Sequence, residues 1–484
     1  MAATIVSAVI LTLSLPTVAQ ALTLNWTTPV NVATATFIDE PVTAVNNSGL
    51  FVMAWVESDG TTQEVKAATS SDGKSWSTPV ATAATATNLQ NLRLAVNSTG
   101  IFALVYRVAD MPNSRLYSMA STDGQTWSTP AMIGNTSRDY ALPKLSASGP
   151  NFEVAWIGDV GASGYTSNIL YAATSTNGTT WSSPAAISDD TSGYVANQQV
   201  LAPLPGGGFV VAYHSDRPGY VAIVVRTTSD GVTWSTGSTA WGTIVSPSGA
   251  VGNAPSIAVS PQGRILVTYL ASAGAVSSAY ATSSTDGTTW STPVMIGDGI
   301  ADDLAFPHIA VNSAGRFLVM WNSSLSGSNQ IVVTRSTTDG STFTPRRELT
   351  ANTSTAYWPV PVATPSGSFV ATWVVDDGLG NQTRTSAVTD DGINWSQQQN
   401  LPYPGILMSN PSLAVNAQGA VLMAWSVSPV ISNYSLYTST LTVGTDPALA
   451  ETGSDATAWL TFAALSLIAG CLLKLAVSLS NRSR

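Results

Sequence analysis

Five-residue apolar runs recur at nearly even spacing: FVMAW ending at Trp55, FALVY at Tyr106, FEVAW at Trp156, FVVAY at Tyr213, ILVTY at Tyr269, FLVMW at Trp321, FVATW at Trp373 and VLMAW at Trp425. Each is too short for a helix, is rich in β-formers and follows a Gly-containing turn such as NSAGR, so each reads as a buried strand. Another short apolar run precedes the turn, for example PHIAV at 307–311 or PSLAV at 411–415. After the central run come a variable polar loop, a third run such as IVVTRS, an Asp-Gly turn, and a fourth strand expected to begin at an aromatic residue. One unit is therefore a four-stranded antiparallel meander of about 53 residues. No stretch between Leu22 and Val443 has a convincing helical period.

The turns keep the same frame. Asp72, Asp123, Asn177, Asp230, Asp286, Asp339 and Asp391 each precede a Gly, at intervals of 51, 54, 53, 56, 53 and 52 residues, and an aromatic residue follows four positions later. Four-stranded units repeated radially predict an all-β propeller, whose blade faces stack on their neighbours and leave only short edges exposed. The eighth unit supplies three strands and no Asp-Gly turn, whereas Trp26-Thr27-Thr28-Pro29-Val30 matches Trp290-Ser291-Thr292-Pro293-Val294. An N-terminal strand that completes the last blade gives eight blades; seven is the alternative if one unit is irregular.

The phrase Ser-Thr-Asp-Gly-Thr-Thr-Trp and its variants resemble the Asp-box, or bacterial neuraminidase repeat, of sialidase-like propellers. Each letter also has a local reason: Asp accepts backbone N–H bonds in its own turn, Gly permits positive φ, and Trp buries a large ring with one N–H to satisfy. The resemblance implies that the turns sit on the outer rim, away from the central site, and that they build blades rather than carry chemistry.

Composition narrows the function. Of 484 residues only 10% are charged, and the net charge is −10 with Lys limited to Lys66, Lys74, Lys144 and Lys474, so no nucleic-acid partner is expected. His214 and His308 are the only histidines, and with one cysteine they give no metal-ligand spacing. Asp302-Asp303 and Asp376-Asp377 could offer oxygen ligands to calcium, but no cofactor is expected on that ground alone.

Ligands of a propeller are normally met where the fourth-to-first and second-to-third strand loops converge around the axis. The first set brings Asp39, Glu40, Arg138, Asp139, Tyr140, Asp302, Asp303, His308, Tyr357 and Trp358; the second brings Asp59, His214, Asp216, Arg217 and Asp376. This mixed acidic and aromatic face suits a glycan or protein ligand. The resemblance implies, for a sialidase, three arginines on the substrate carboxylate, a Tyr nucleophile with a Glu, and an Asp acid. The Arg-Ile-Pro motif of that family is absent; Arg138, Arg217, Arg93 and Arg107 remain as candidates, with no clear Tyr–Glu pair. A binding module is the preferred reading, and a surface exo-glycosidase the alternative.

The two ends carry addresses. Residues 1–21 contain an apolar stretch and close on Ala19-Gln20-Ala21, as a signal peptide does, so the propeller is expected over 22–444. A linker at 445–455 contains Leu449-Ala450-Glu451-Thr452-Gly453, an apolar stretch at 456–479 is long enough to cross a bilayer, and 480–484 is a basic tail. Motif, helix and tail in this order resemble an LAxTG cell-wall sorting signal of actinobacteria, which implies a sortase and a peptidoglycan precursor as partners and an extracellular, wall- or membrane-anchored location. An ordinary membrane anchor is the simpler alternative. The lone Cys471 lies in that stretch, which leaves the exported part without a disulfide.

Overall fold

The computed structural model describes residues 22–109, 114–134, 140–159, 168–188, 195–217, 220–236, 243–244, 251–272, 277–299, 302–303, 307–324, 330–350, 355–377, 382–401, 406–407, 411–428 and 433–445. The expected signal peptide, sorting motif, apolar C-terminal stretch and tail lie outside them. All regular elements among the described residues are strands.

Leu24–Val443 form one compact unit, an eight-bladed β-propeller. Blade 1 shows the plan: inner strand Phe37–Val45, middle strand Phe51–Ser58, third strand Gln63–Ser70 and outer strand Val80–Ala86, all antiparallel. The inner strands of blades 2 to 5 are Leu89–Val96, Tyr140–Ser148, Val195–Leu204 and Val251–Val259. Blade 6 splits its inner strand into Asp302–Asp303 and His308–Val311, blade 7 uses Thr355–Ala363, and blade 8 splits again into Ile406–Leu407 and Ser412–Val415. Each inner strand touches that of the next blade, and the eighth touches the first, so the ring is closed.

Closure follows the sequence expectation. Leu22–Trp26 and Val30–Ala35 run beside Tyr434–Thr445 as the outer strand of blade 8. The Thr27 N–H donates to the Thr440 carbonyl at 2.9 Å, the same bond that Ser77 makes to Thr69 within blade 1. Only the covalent turn is missing; an end of the chain supplies what a box supplies elsewhere.

One detail differs from expectation. The fourth strand begins after the aromatic residue, not at it: Val80 follows Trp76 by four positions, and in blades 3 to 6 the outer strand is two residues long. The Pro in Trp-Ser-Thr-Pro cannot donate to a ladder, and the Ser hydroxyl substitutes as acceptor, with Thr69 N–H to Ser77 Oγ at 3.0 Å. Trp234 and Trp290 keep only an isolated bridge to the third strand.

The core lies between blades. The aromatic residues that end the apolar runs within the middle strands, among them Trp55, Trp156, Trp321, Trp373 and Trp425, are essentially fully buried. In every box the Asp or Asn side chain accepts two backbone N–H groups; for Asp286 these are Thr288 and Thr289 at 2.8 and 2.7 Å. The Ser or Thr two residues before it closes the loop, with Gly287 N–H to Ser284 Oγ at 2.8 Å. The box Gly does more than turn. At Gly340 (φ +73°) an added Cβ would stand 2.4 Å from Ser283 Cβ of blade 5, and at Gly124 (φ +70°) 2.6 Å from Val52 of blade 1. The turns are thus pressed against the preceding blade, and Gly is required both by φ and by that approach. Three of the Trp rings reach back likewise: Trp26, Trp76 and Trp181 donate to Ser386, Thr438 and Ser118 of the blade before.

Candidate functional site

The face that carries the fourth-to-first and second-to-third connections has a repeated irregularity invisible in the apolar pattern. In six blades the inner strand bulges near its start, at Glu40, Asn91, Leu142, Gln198, Ala254 and Trp358, all non-Gly residues with φ between 50° and 56°. A left-handed non-Gly residue costs on the order of 1 kcal/mol, so the surrounding structure must hold it there. Part of the reason is the next residue: Pro41, Pro143, Pro255 and Pro359 have no N–H to orphan at the bulge. Where a donor survives it is met from the preceding blade. Leu92 N–H donates to Glu40 Oε2 at 2.6 Å, and Ala254 N–H to Gln198 Oε1 at 2.7 Å. The bulges of blades 1 and 2, and those of blades 4 and 5, are therefore stitched to one another.

Two positions after each bulge residue stands a side chain paired across to the residue before the buried aromatic: Val42 to Ala54, Arg93 to Val105, Lys144 to Ala155, Val200 to Ala212, Ser256 to Thr268 and Val360 to Thr372. In the split strands His308 faces Met320 and Ser412 faces Ala424, in the same register. These eight positions stand at one level of the inner-strand ring around the axis, where Val42 and Val200 pack against the clusters between blades. Three of them are basic.

The expected site residues distribute as follows. Arg138 and Asp139 lie outside the described residues; Tyr140, Arg217, Asp302 and Asp303 are placed in strands without a described side chain. Asp39 accepts the Glu40 N–H at 2.7 Å. Asp59 folds its own loop: its Oδ1 accepts the Thr61 and Thr62 N–H groups at 2.8 Å, and these, with the Thr61 hydroxyl, hold its carboxyl at about 2. It borders a depression of about 550 Å³ with Glu57, Glu64, Thr34 and Thr85, where the outer strand of blade 8 meets blade 1. His214 lies partly buried with its Nδ1 unpartnered; burial lowers its pKa against the opposing charge of Asp216, which is itself exposed.

The structure brings two expected residues together. Tyr357, from the fourth-to-first side of blade 7, donates its hydroxyl to Asp376 Oδ2, from the second-to-third side, at 3.4 Å, and Gln382 Nε2 donates to the same hydroxyl at 2.5 Å. Burial, then the Asp376 charge, push the Tyr357 phenol up to about 12, with Arg384 opposing. Trp358 stands edge-on to Tyr357, ring centroids 4.9 Å apart, and packs half-buried on the Leu413 and Trp425 side of blade 8. The hydroxyl is thus fixed as a neutral donor and acceptor beside a carboxylate.

Sequence reading missed Gln382 and the axial role of Lys144. The one available signal was the position after Pro in PKLSA and PHIAV, which is basic where sister units have Val or Ser. Among the other arginines, Arg226 is spent on the carbonyls of Ser235, Ile187 and Trp234, and Arg107 on Gln90 and Ser114. Among the described residues no group of three or more His, Cys, Asp or Glu side chains could hold a metal ion.

Comparison with known proteins agrees with this architecture. Residues 148–357 match the BNR repeat-like domain. No curated protein matches the chain. Among solved structures, the BP39L lectin from Burkholderia pseudomallei is similar at 13% identity and TM-score 0.50, over 76% of this chain and 100% of the lectin. A GH93 α-L-arabinofuranosidase of Fusarium graminearum is 16% identical over 60% of this chain and 89% of its own, with TM-score 0.38. The Hadza microbial sialidase Hz136 is 14% identical over 70% and 73%, with TM-score 0.39. At 13% identity the likeness to the lectin is one of fold alone, a β-propeller.

Proposed function

We propose that this propeller is an exported, surface-held module that binds a glycan through the axial face, at the mouth formed by blade 7 and its neighbours. The observation that supports it most is the Tyr357, Asp376 and Gln382 cluster beside Trp358, a fixed set of hydrogen-bonding groups next to an aromatic ring, which is what a sugar's hydroxyls and apolar face require. On the opposite face the boxes are locked between blades. Export and anchoring rest on the terminal segments: the small-residue site ending at Ala21, the LAETG pentapeptide at 449–453 and the apolar stretch behind it.

A second reading has a specific observation behind it. A Tyr hydroxyl hydrogen-bonded to a carboxylate is one arrangement through which a tyrosine can serve as nucleophile, and Tyr357 with Asp376 supplies it; a surface exo-glycosidase would use that pair. The raised phenol pKa favours binding over attack, since a nucleophile gains from a lowered one.

The deciding experiment applies the purified full chain to a glycan array and to a panel of aryl glycosides that includes sialosides. Selective array binding without turnover is expected. Turnover that Asp376→Asn abolishes would make the protein a glycosidase.

A further inference from the structure

The charge balance of the axial channel is unusual for this chain. Lys and His together number only six, and two of the six, Lys144 and His308, occupy the same level of the inner-strand ring, with Arg93 as a third base. Arg93 belongs to blade 2, Lys144 to blade 3 and His308 to blade 6, so the basic groups come from both sides of the axis. The five remaining positions at that level, Val42, Val200, Ser256, Val360 and Ser412, carry no charge.

These bases are poorly compensated. Arg93 Nη1 donates to the Leu92 carbonyl at 2.7 Å, and Glu40 is the carboxylate that stabilises its charge. One oxygen of Glu40 is already committed to the Leu92 N–H. Among the described residues Lys144 makes no hydrogen bond and no ion pair, although it is partly buried. Burial and the Arg93 charge bring the Lys144 ammonium down to about 8, and burial and the Lys144 charge bring His308 down to about 4. Lys144 thus lies within electrostatic reach of Arg93 on one side and of His308 on the other. A partly buried ammonium without a partner is unfavourable, and an anion between the three bases would offset that.

We propose that the axial channel binds an anionic group, a carboxylate or a sulfate, between Arg93, Lys144 and His308. This deepens the glycan-binding reading: the ligand would be an acidic saccharide, a uronate or a sulfated sugar, whose neutral hydroxyls meet the blade 7 cluster while its charge enters the ring. The planar guanidinium suits two oxygens of the anion, and the ammonium acts as a point charge beside it. Binding would draw a proton onto His308, because an adjacent anion favours the imidazolium.

The test is calorimetry on the full chain with four probes: sodium sulfate, glucuronate, a sulfated oligosaccharide and an uncharged oligosaccharide. The wild-type protein is expected to bind the anionic probes, and Lys144→Met to weaken them at least ~10-fold while leaving the uncharged probe unchanged. Binding of free sulfate or glucuronate but of neither oligosaccharide would keep the anion site and sink the glycan reading. Binding of the uncharged sugar alone would keep the glycan reading and overturn the anion site, as would anion binding that is the same in Lys144→Met. Should that variant fail to fold, NMR of the His308 imidazole in the wild-type protein decides: its pKa rises with added sulfate if the proposal holds and stays fixed if it does not.

Discussion

The two faces of the propeller put the same repeat to opposite uses. On the box side, seven turns repeat one geometry almost atom for atom, because each must fit against the blade before it; even the Asn177 variant accepts the Thr179 and Thr180 N–H groups at 3.0 and 2.8 Å, as an Asp would. On the axial side the backbone bulge repeats, but the side chains that stand on it do not: Val, Arg, Lys, Val, Ser, His, Val and Ser in turn around the ring. Repetition there supplies the platform, and departure from it supplies chemistry. Function in such a fold is therefore sought where sister blades disagree.

Glu153 sharpens that comparison, since it is a disagreement on the wrong side. Its sister positions in the other middle strands hold Val52, Ala103, Val210, Leu266, Leu318, Val370 and Leu422, of which Val52, Ala103, Leu266, Leu318 and Leu422 stand against the Gly of a neighbouring box. Glu153 is fully buried, and neither of its oxygens is hydrogen-bonded; the nearby Thr174 hydroxyl donates instead to the Phe152 carbonyl. Burial pushes its carboxyl up to about 9, against a smaller opposing effect of Thr174 and with a further rise from the Asp230 charge. It stays protonated at neutral pH.

The largest expected effect is on the box side. Gly340→Val puts a branched side chain at φ +73° and into Ser283 of blade 5, and should destabilise the propeller by roughly 4 kcal/mol in chemical denaturation, from left-handed strain plus overpacking. A change under 1 kcal/mol would mean that the turns do not lock the blades.

Next comes Glu153→Leu, which is expected to stabilise. The folded carboxyl ionises near 9 and the unfolded one near 4.5, so the folded chain holds the extra proton between those values. The wild-type contribution is most favourable below 4.5 and falls as pH rises through that window, by at most about 3 kcal/mol at pH 7. The variant should recover much of this and flatten the pH dependence of Tm between 5 and 9; an unchanged slope would refute the assignment.

A smaller effect separates the faces. Tyr357→Phe removes a hydroxyl that joins Asp376 and Gln382 and is expected to weaken ligand binding about tenfold, the worth of one or two hydrogen bonds, with Tm nearly unchanged. The smallest concerns acid. The Thr126 and Gln125 N–H groups keep the Asp123 carboxyl at about 2, below its usual value near 3.8, against the opposing effect of its slight burial. Its stabilisation is present above the usual value and is lost as pH falls toward 2. Asp123→Asn should leave Tm at pH 7 almost unaltered, as Asn177 shows an amide can serve, and reduce the loss of Tm between pH 4 and 2.

The architecture was legible because its causes are local and repeated. Five apolar letters, a Gly turn and an Asp-Gly step at a fixed interval specify a strand, its partner and the next blade, and Trp26 to Val30 matched the box continuation closely enough to place the closing strand. The bulges were hidden, because a strand with one extra residue keeps its composition and only its register changes. The site was partly visible for the same reason. Tyr357 and Asp376 stood out as loop residues, but their meeting depends on antiparallel pairing across blade 7, where Tyr357 lies opposite Val374. Lys144 sits inside an apolar strand pattern, and only the register across eight blades sets it at one level with Arg93 and His308.

The central claim is that the axial face, not the box side, carries the ligand. It is tested most directly by comparing the affinity of wild-type, Asp376→Asn and Asp123→Asn proteins for the best glycan identified on the array. The account predicts a loss of at least about tenfold for Asp376→Asn, which weakens the acceptor of the Tyr357 hydroxyl, and none for Asp123→Asn. Equal affinity of Asp376→Asn and wild type, with a loss in Asp123→Asn, would contradict it.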